Sequence, residues 1–298
     1  MIEIPESATL AAQVDAQLAG RRVTGVQVAA RPNPFVHFTG DPAAYPSVLA
    51  GRAVTGGTGM ASFLRIGLAD GDDVVELTVN DGARPTLLTP AQAAKPVAKS
   101  HQLRLDLDDG SALVFTVQMY GAIRLLGGLD EDGRTRPVPG VDDGGEEESF
   151  YDRAARTSPS PLGDGFDAHW QGLLAAEGAD RLSLKAVLAT HQRIPGLGNG
   201  VLQDILWTAR MNPRRKLGTL DAAERDLLRD TVTGVLRTMV ADGGRDTEKM
   251  LDGWPGGYRT VMCLAALDRG CPRCGGAVEK AAYLGGRVYV CPVCQPAP

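Results

Sequence analysis

The 298-residue chain has no run approaching the roughly 20 consecutive apolar residues of a membrane helix, which excludes a helical membrane protein. Its opening, MIEIPESATL, carries two glutamates and no basic segment ahead of an apolar run, so it does not read as a secretory signal, and a cytoplasmic protein is expected. Cysteine is missing from the first 262 residues, so no disulfide framework spans the chain. Histidine is scarce: His37, His101, His169 and His191 show no metal spacing and are assigned no chemistry. No internal repeat of roughly 20–50 residues suggests a solenoid or propeller. Aromatics amount to only 5%, yet 43% hydrophobic and 22% charged residues are ordinary for a globular protein. At about 100–200 residues per domain, this length implies two domains.

The net charge of −5 argues at first against a polyanionic partner, but the average hides an asymmetry. Residues 1–180 hold 14 basic and 25 acidic side chains, whereas 181–298 hold 17 and 11. A positive field over one part of the surface steers a protein toward nucleic acid whatever the total. On charge alone, an uneven solvated surface remains the alternative.

The five cysteines lie together near the C-terminus. Cys271 and Cys274 form one C-x2-C knuckle, and Cys291 and Cys294 form another after a segment long enough for a hairpin. Two such knuckles present four thiolates to one tetrahedral Zn(II), which closes the coordination shell and makes the metal structural, one per chain. Disulfides and an iron–sulfur centre are the alternatives. Cys263 stands apart and reads as a small buried hydrophobe.

Leu10, Val14 and Leu18 form one apolar stripe of a short helix that stops near Gly20. Residues 21–28, 61–68 and 73–79 are β-branched and bounded by Gly and Asp, while 101–107 turns through Asp109-Gly110 into 112–117. The fold class is α+β. Residues 1–130 read as an N-terminal helix against an antiparallel β-sandwich or flattened barrel, and 131–160 as an acidic, Gly/Pro-rich linker or loop. Helical patterns follow over 183–192, 200–210 and 221–240, the last opened by an Asp221/Glu224 capping box, so 161–262 reads as a helical module and 263–298 as the zinc ribbon. Between two of these helices lies Ile194-Pro195-Gly196-Leu197-Gly198-Asn199-Gly200. A glycine-rich turn ahead of a helix N-terminus, with an Asn side-chain donor, suits a phosphate clamp; an ordinary helix–helix corner is the alternative.

Four features in this order resemble the formamidopyrimidine-DNA glycosylase and endonuclease VIII family: Met1-x-Glu3-x-Pro5-Glu6, the PGLGN turn, Arg245-Asp246-Thr247 with Pro255-Gly256-Gly257-Tyr258, and a ribbon containing Gly285-Gly286-Arg287. The resemblance implies a helix–two-turn–helix domain and a monomer that binds double-stranded DNA containing a lesion, flips the lesion base and removes it in base excision repair. It implies catalytic roles for Glu3, in base departure, and Glu6, in organising the site, although two glutamates in a first turn also complement the helix dipole. It implies phosphate contacts from Lys185, Asn199 and Arg287, and a wedge between bases at Tyr120, whose alternative is a half-buried aromatic at a strand end. Arg214, Arg215 and Lys216 would form an electrostatic fringe.

Two departures bear on chemistry. Active members usually place proline after the initiator Met and use its freed amine as a nucleophile; here the position is Ile2, and a bulky second residue should also block Met removal. Gly57-Thr58-Gly59-Met60 falls where the family carries a Gly-Lys pair, so Met60 replaces the lysine. Three readings follow. The chain is a glycosylase in which Glu3 activates water without efficient strand cleavage by a lyase step, a catalytically silent reader of damaged or distorted DNA, or a zinc-ribbon protein that contacts another protein. Retained Glu3 favours the first, and Ile2 and Met60 favour the second.

Overall fold

The computed structural model describes residues 1–29, 33–96, 100–128, 135–142 and 149–298. Among them, the chain divides into two compact units: Met1–Arg153 with Glu248–Gly256, and Ala154–Thr247 with Gly257–Pro298. Residues 248–256, expected within the 161–262 module, therefore belong to the first unit. No helix among the described residues is long and apolar enough to cross a membrane.

The first unit opens with α1 (Ile4–Leu18), which carries Pro5 in its first turn, where a missing N–H costs nothing, and buries Leu10, Val14 and Leu18. Strands β1 (Val23–Val28), β2 (Val36–Phe38), β3 (Ala53–Met60), β4 (Phe63–Asp70), β5 (Asp73–Leu88), β6 (His101–Leu107) and β7 (Ala112–Gly127) follow, with short helices α2 (Tyr45–Leu49) and α3 (Pro90–Ala93) between them. They form one sheet in the order β1-β6-β7-β5-β4-β3, antiparallel except that β2 joins β7 in parallel. Hydrogen bonds from Val23 N–H to the Arg52 carbonyl and from Val54 N–H to the Arg21 carbonyl, both 2.8 Å, join the two ends of that order. The sheet is thus the flattened barrel of the two expected forms. Its core gathers Leu64, Ile66, Leu77, Val79, Leu103, Phe115 and Ile123 under the α1 stripe.

Strands β5 and β7 run to 16 residues each, far beyond the segments expected at 73–79 and 112–117. Both pass a break in their shared ladder: Asp81 pairs with Gly121, but the next pair is Ala83 with Val117. Gly82 on one side and Gln118-Met119-Tyr120 on the other are left out of register.

The segment 131–160 is only partly a linker. Val138 and Val141 are buried in the first unit's core, and Phe150–Thr157 forms α4, whose Asp152 is paired with Arg124. Residues 131–134 and 143–148 of that segment lie outside the described residues.

The second unit contains α5 (Phe166–Ala175), α6 (Leu184–Ala189), α7 (Asn199–Thr208), α8 (Ala222–Ala241), α9 (Ala266–Arg269) and the hairpin β8 (Glu279–Tyr283) and β9 (Gly286–Val290). The Asp221/Glu224 capping box opens α8, which buries Leu228, Val232, Leu236 and Met239, while Leu227 faces solvent. Arg215 is held by the Glu224 carboxylate at 2.6 and 2.7 Å and Arg214 stacks on Tyr283, so two members of the expected cationic fringe have intramolecular partners. Cys263 is half-buried instead of buried.

Strand β3 escaped the sequence reading because Gly56, Gly57 and Gly59 erase its apolar alternation. The structure supplies the reason: a Cβ at Gly59 would stand 2.6 Å from the Ser7 carbonyl oxygen, and one at Gly57 2.7 Å from that of Ala11. The strand lies directly on the α1 backbone. Gly59→Ala is therefore expected to lower unfolding stability by about 1–3 kcal/mol, as overpacking does; urea denaturation of the variant checks this, and an unchanged midpoint contradicts the close approach.

Candidate functional site

In the first unit, Glu3 is the N-cap of α1 with extended backbone, and Glu6, one turn on, accepts the Glu3 N–H at 3.1 Å. Both carboxylates are buried, Glu3 at 6% exposure and Glu6 at 1%. Glu6 thus caps the start of α1, beside the dipole role weighed as its alternative. Ile2 is buried in the core, and its N–H donates to the Asp81 carbonyl at 3.0 Å. The Met1 ammonium pairs with Glu248 at 2.5 Å, and Arg84 lies 3.6 Å from the same carboxylate oxygen. Met1, Ile2, Glu6, Asp81, Arg84 and Glu248 line one small cavity.

Neither Glu248 nor Asp81 was singled out from sequence. Glu248 is far along the chain, and it reaches the N-terminus because Leu251 anchors its segment. The Leu251 side chain is fully buried, its N–H donates to Gln13 at 2.9 Å, and its carbonyl accepts from Leu87 at 2.6 Å. Met60 ends β3 with its sulfur 3.9 Å from Arg65, so a thioether occupies the position where a lysine was expected. Tyr120 stands in the β5–β7 ladder break, 48% exposed, and Met119 beside it is 75% exposed. The sequence reading singled out Tyr120 and passed over Met119, the more exposed of the two.

In the second unit, Lys185, Asn199 and Arg287 come together although they are far apart in sequence. Lys185 is almost fully buried and donates to Asn199 Oδ1 at 2.8 Å and to the Tyr283 carbonyl at 2.7 Å, which uses two of its three N–H donors. Burial lowers its pKa. Asn199 and Gln203, one turn apart on α7, both donate to the Arg287 carbonyl, at 2.8 and 3.0 Å. Those bonds hold the start of β9 against α7 and leave the Arg287 side chain exposed. The turn before it takes positive φ at Leu284 and Gly285, the conformation of a two-residue hairpin loop. A Cβ at Gly286 would stand 3.2 Å from both Asn199 Oδ1 and Lys185 Nζ, so glycine there permits the approach.

The Arg245-Asp246-Thr247 and Pro255-to-Tyr258 motifs meet at a structural joint. Arg245 bridges to Tyr258, and the Tyr258 hydroxyl donates to Asp204 at 3.0 Å. Asp204 is fully buried and also accepts the Val261 and Met262 N–H groups at 2.9 and 2.7 Å. Burial raises the pKa of Asp204 against those hydrogen bonds, and burial next to this carboxylate raises that of Tyr258.

Four sulfurs, those of Cys271, Cys274, Cys291 and Cys294, lie within 4.8 Å of one another, with Cys263 outside. Cys271 and Cys294 are 3.8 Å apart, and Cys274 and Cys291 3.5 Å. Metal–sulfur bonds of about 2.3 Å in a tetrahedron require sulfurs about 3.8 Å apart, so the residues fit a four-thiolate structural metal site. Around it, Trp207 Nε1 donates to Cys271 Sγ at 3.3 Å, Arg273 stacks on Trp207, and Gln295 joins the Cys291 N–H to the Met211 carbonyl.

A barrel capped by a helix, in one unit, and a helix–turn–helix carrying a four-cysteine hairpin, in the other, define a class of lesion-processing DNA enzymes. No protein-family model matches the chain. Over 301 residues it is 30% identical to the formamidopyrimidine-DNA glycosylase of Laribacter hongkongensis, covering 99% of this chain and 100% of that protein. It is 28% identical to the formamidopyrimidine-DNA glycosylase of Nocardia farcinica over 310 residues, 100% of this chain and 99% of that one. The chain belongs to the formamidopyrimidine-DNA glycosylase family. Its fold matches that of Lactococcus lactis Fpg in a complex with DNA containing an abasic site, with TM-score 0.76, 19% identity and coverage of 99% and 100%. It also matches that of MutM (Fpg) from Thermus thermophilus, with TM-score 0.72, 24% identity and coverage of 98% of both chains.

The four-thiolate geometry leads to a direct test. Metal analysis of the purified chain should return about one ion per molecule, and Cys291→Ala should lose it; a Cys291→Ala protein with full metal content would sink the assignment.

Proposed function

We propose that this chain is a DNA glycosylase that binds lesion-containing duplex DNA and hydrolyses the N-glycosidic bond of the damaged base, without an efficient lyase step. The observation that carries this reading is the state of the N-terminus. Glu3 is held beside it as a buried carboxylate, whereas the Met1 amine is tied to Glu248. An amine tied into an ion pair with Glu248 is drawn away from attack, so the attacking group is water, and Glu3 is the base that receives its proton.

DNA contact is assigned to Arg287, with Lys185 and Asn199 behind it. The third N–H of the Lys185 ammonium and the exposed Arg287 guanidinium serve phosphate oxygens. Tyr120, with Met119, is assigned the wedge that fills the gap left by the extruded base. Glu6 orders Glu3 through its capping bond. The metal is taken to be Zn(II), since four thiolates in a closed tetrahedron suit that ion and leave no open position for catalysis. The chain is assigned to act as a monomer in the cytoplasm, at the nucleoid. The relatives named as glycosylases and the Lactococcus lactis complexes with abasic and Fapy-dG DNA support the substrate class.

Duplexes carrying single lesions, assayed with and without alkali, test the reaction. Product is expected only after alkali, and borohydride should trap little or no covalent adduct. Glu3→Gln keeps the shape, removes the base and should slow release by about 10²–10⁴-fold while DNA affinity holds. Efficient trapping would falsify the hydrolytic reading and point to the Met1 amine; absence of base release from any lesion would leave a binder of distorted DNA.

The grip has its own test. Arg287→Ala should weaken binding similarly for all sequences and reduce the slope of log affinity against log salt by about one. An unchanged slope means that Arg287 does not touch phosphate.

A further inference from the structure

Asp81 has no assigned role, and four observations single it out. First, it lines the N-terminal cavity together with Met1, Ile2 and Glu6. Second, its carbonyl accepts the Ile2 N–H at 3.0 Å, which ties its backbone to the residue next to Glu3. Third, its backbone is left-handed, φ +54°, uncommon for any residue but glycine. Fourth, it sits at the β5–β7 ladder break whose other side carries exposed Met119 and Tyr120. Ladder breaks of this kind re-aim a side chain and occur beside active sites, and non-glycine residues at positive φ gather there too.

The reaction leaves one task without a group. When the C1′–N bond breaks, its electron pair stays on the base nitrogen, which departs far more readily if it takes up a proton. Resting on the glycosylase reading above, we propose that Asp81 is the general acid of this step, donating its carboxyl proton to the departing base as Glu3 accepts the proton of the attacking water. The balance closes. A C1′–O bond replaces the C1′–N bond, the base leaves protonated by Asp81, and the proton gained by Glu3 returns to Asp81 through solvent. Two carboxyl groups divided between acid and base serve glycosidic hydrolysis in the same way.

The surroundings of Asp81 favour the acid form. Burial raises its pKa, opposed by the Arg124 guanidinium and the Met1 ammonium. Both opposing cations are already committed, Arg124 to Asp152 at 2.8 Å and the ammonium to Glu248. Glu6, Glu248, Arg84 and Lys249 complete the charged lining of the cavity.

Asp81→Asn is a clean variant. Asparagine adopts the left-handed conformation as readily, and the hydrogen bond from Ile2 is to the backbone, so the ladder break and N-terminal tether persist. The experiment measures single-turnover base release from duplexes carrying a series of lesion bases graded by leaving-group acidity. Each duplex's affinity for the variant is measured alongside. Expected is a loss of about 10²-fold or more for bases that leave as strongly basic anions, shrinking steadily toward none for the most acidic leaving groups, with affinity unchanged. Equal loss across the series, or none at all, overturns the acid role while leaving the glycosylase reading in place. If the wild-type chain releases no base from any lesion, both readings fall.

Discussion

The hydrogen bond from the Ile2 N–H to the Asp81 carbonyl fixes the position of the candidate chemistry in the first unit. Residues ahead of a helix are ordinarily frayed, yet here Ile2 is tied to β5 and its side chain is buried in the barrel core. A proline at this position would have no N–H to donate. The isoleucine supplies both the hydrogen bond and apolar burial, while Met1 ahead of it occupies Glu248.

That anchor depends on a defect in the sheet. A regular β5–β7 ladder would turn the Asp81 carbonyl toward its cross-strand partner and keep Gln118, Met119 and Tyr120 flat in the strand. The shift between Asp81–Gly121 and Ala83–Val117 frees both sides. Gly82 is required there, since a Cβ would stand 2.6 Å from the Tyr120 carbonyl oxygen. One irregularity thus turns the carbonyl that holds the N-terminus and exposes the two wedge candidates.

Local pattern disclosed the parts of the fold that local physics controls. The stripe of α1, the alternation in β1, β4 and β6, the Asp221 capping box and the paired knuckles are each written within a few residues, and each is present. What escaped was long-range. Strand β3 was not read as a strand because its glycines answer to a helix far away in sequence, Gly57 against Ala11 among them. Within the 131–160 stretch read as linker, residues 135–142 carry only Val138 and Val141 as apolar side chains, and those two suffice to dock them when a preformed core receives them. Asp81 and Glu248 carry no motif; their roles come from a register shift and from Leu251 inserting into the barrel. Asn199 stood out as the side-chain donor of the glycine-rich turn, Lys185 and Arg287 only through family resemblance, and the structure adds that Asn199 holds the Arg287 carbonyl while Lys185 bonds to Asn199.

In the second unit the same logic of one supporting element applies to α7. Its Asn199 and Gln203 hold the Arg287 carbonyl, and Trp207, a turn further on, donates to Cys271 of the metal cluster. The hairpin that presents Arg287 has five residues per strand and is largely exposed, and an isolated two-stranded hairpin of this size is marginal in water. It is held at one end by the four thiolates and along one edge by α7. The four thiolates close the base of the hairpin, the hairpin brings the Tyr283 carbonyl to Lys185, and the buried ammonium is oriented by that carbonyl and Asn199. An ammonium buried among neutral acceptors still lacks a counter-charge, which is why burial lowers its pKa. In the proposed phosphate contact, an oxygen at its remaining donor would supply a counter-charge to this ammonium.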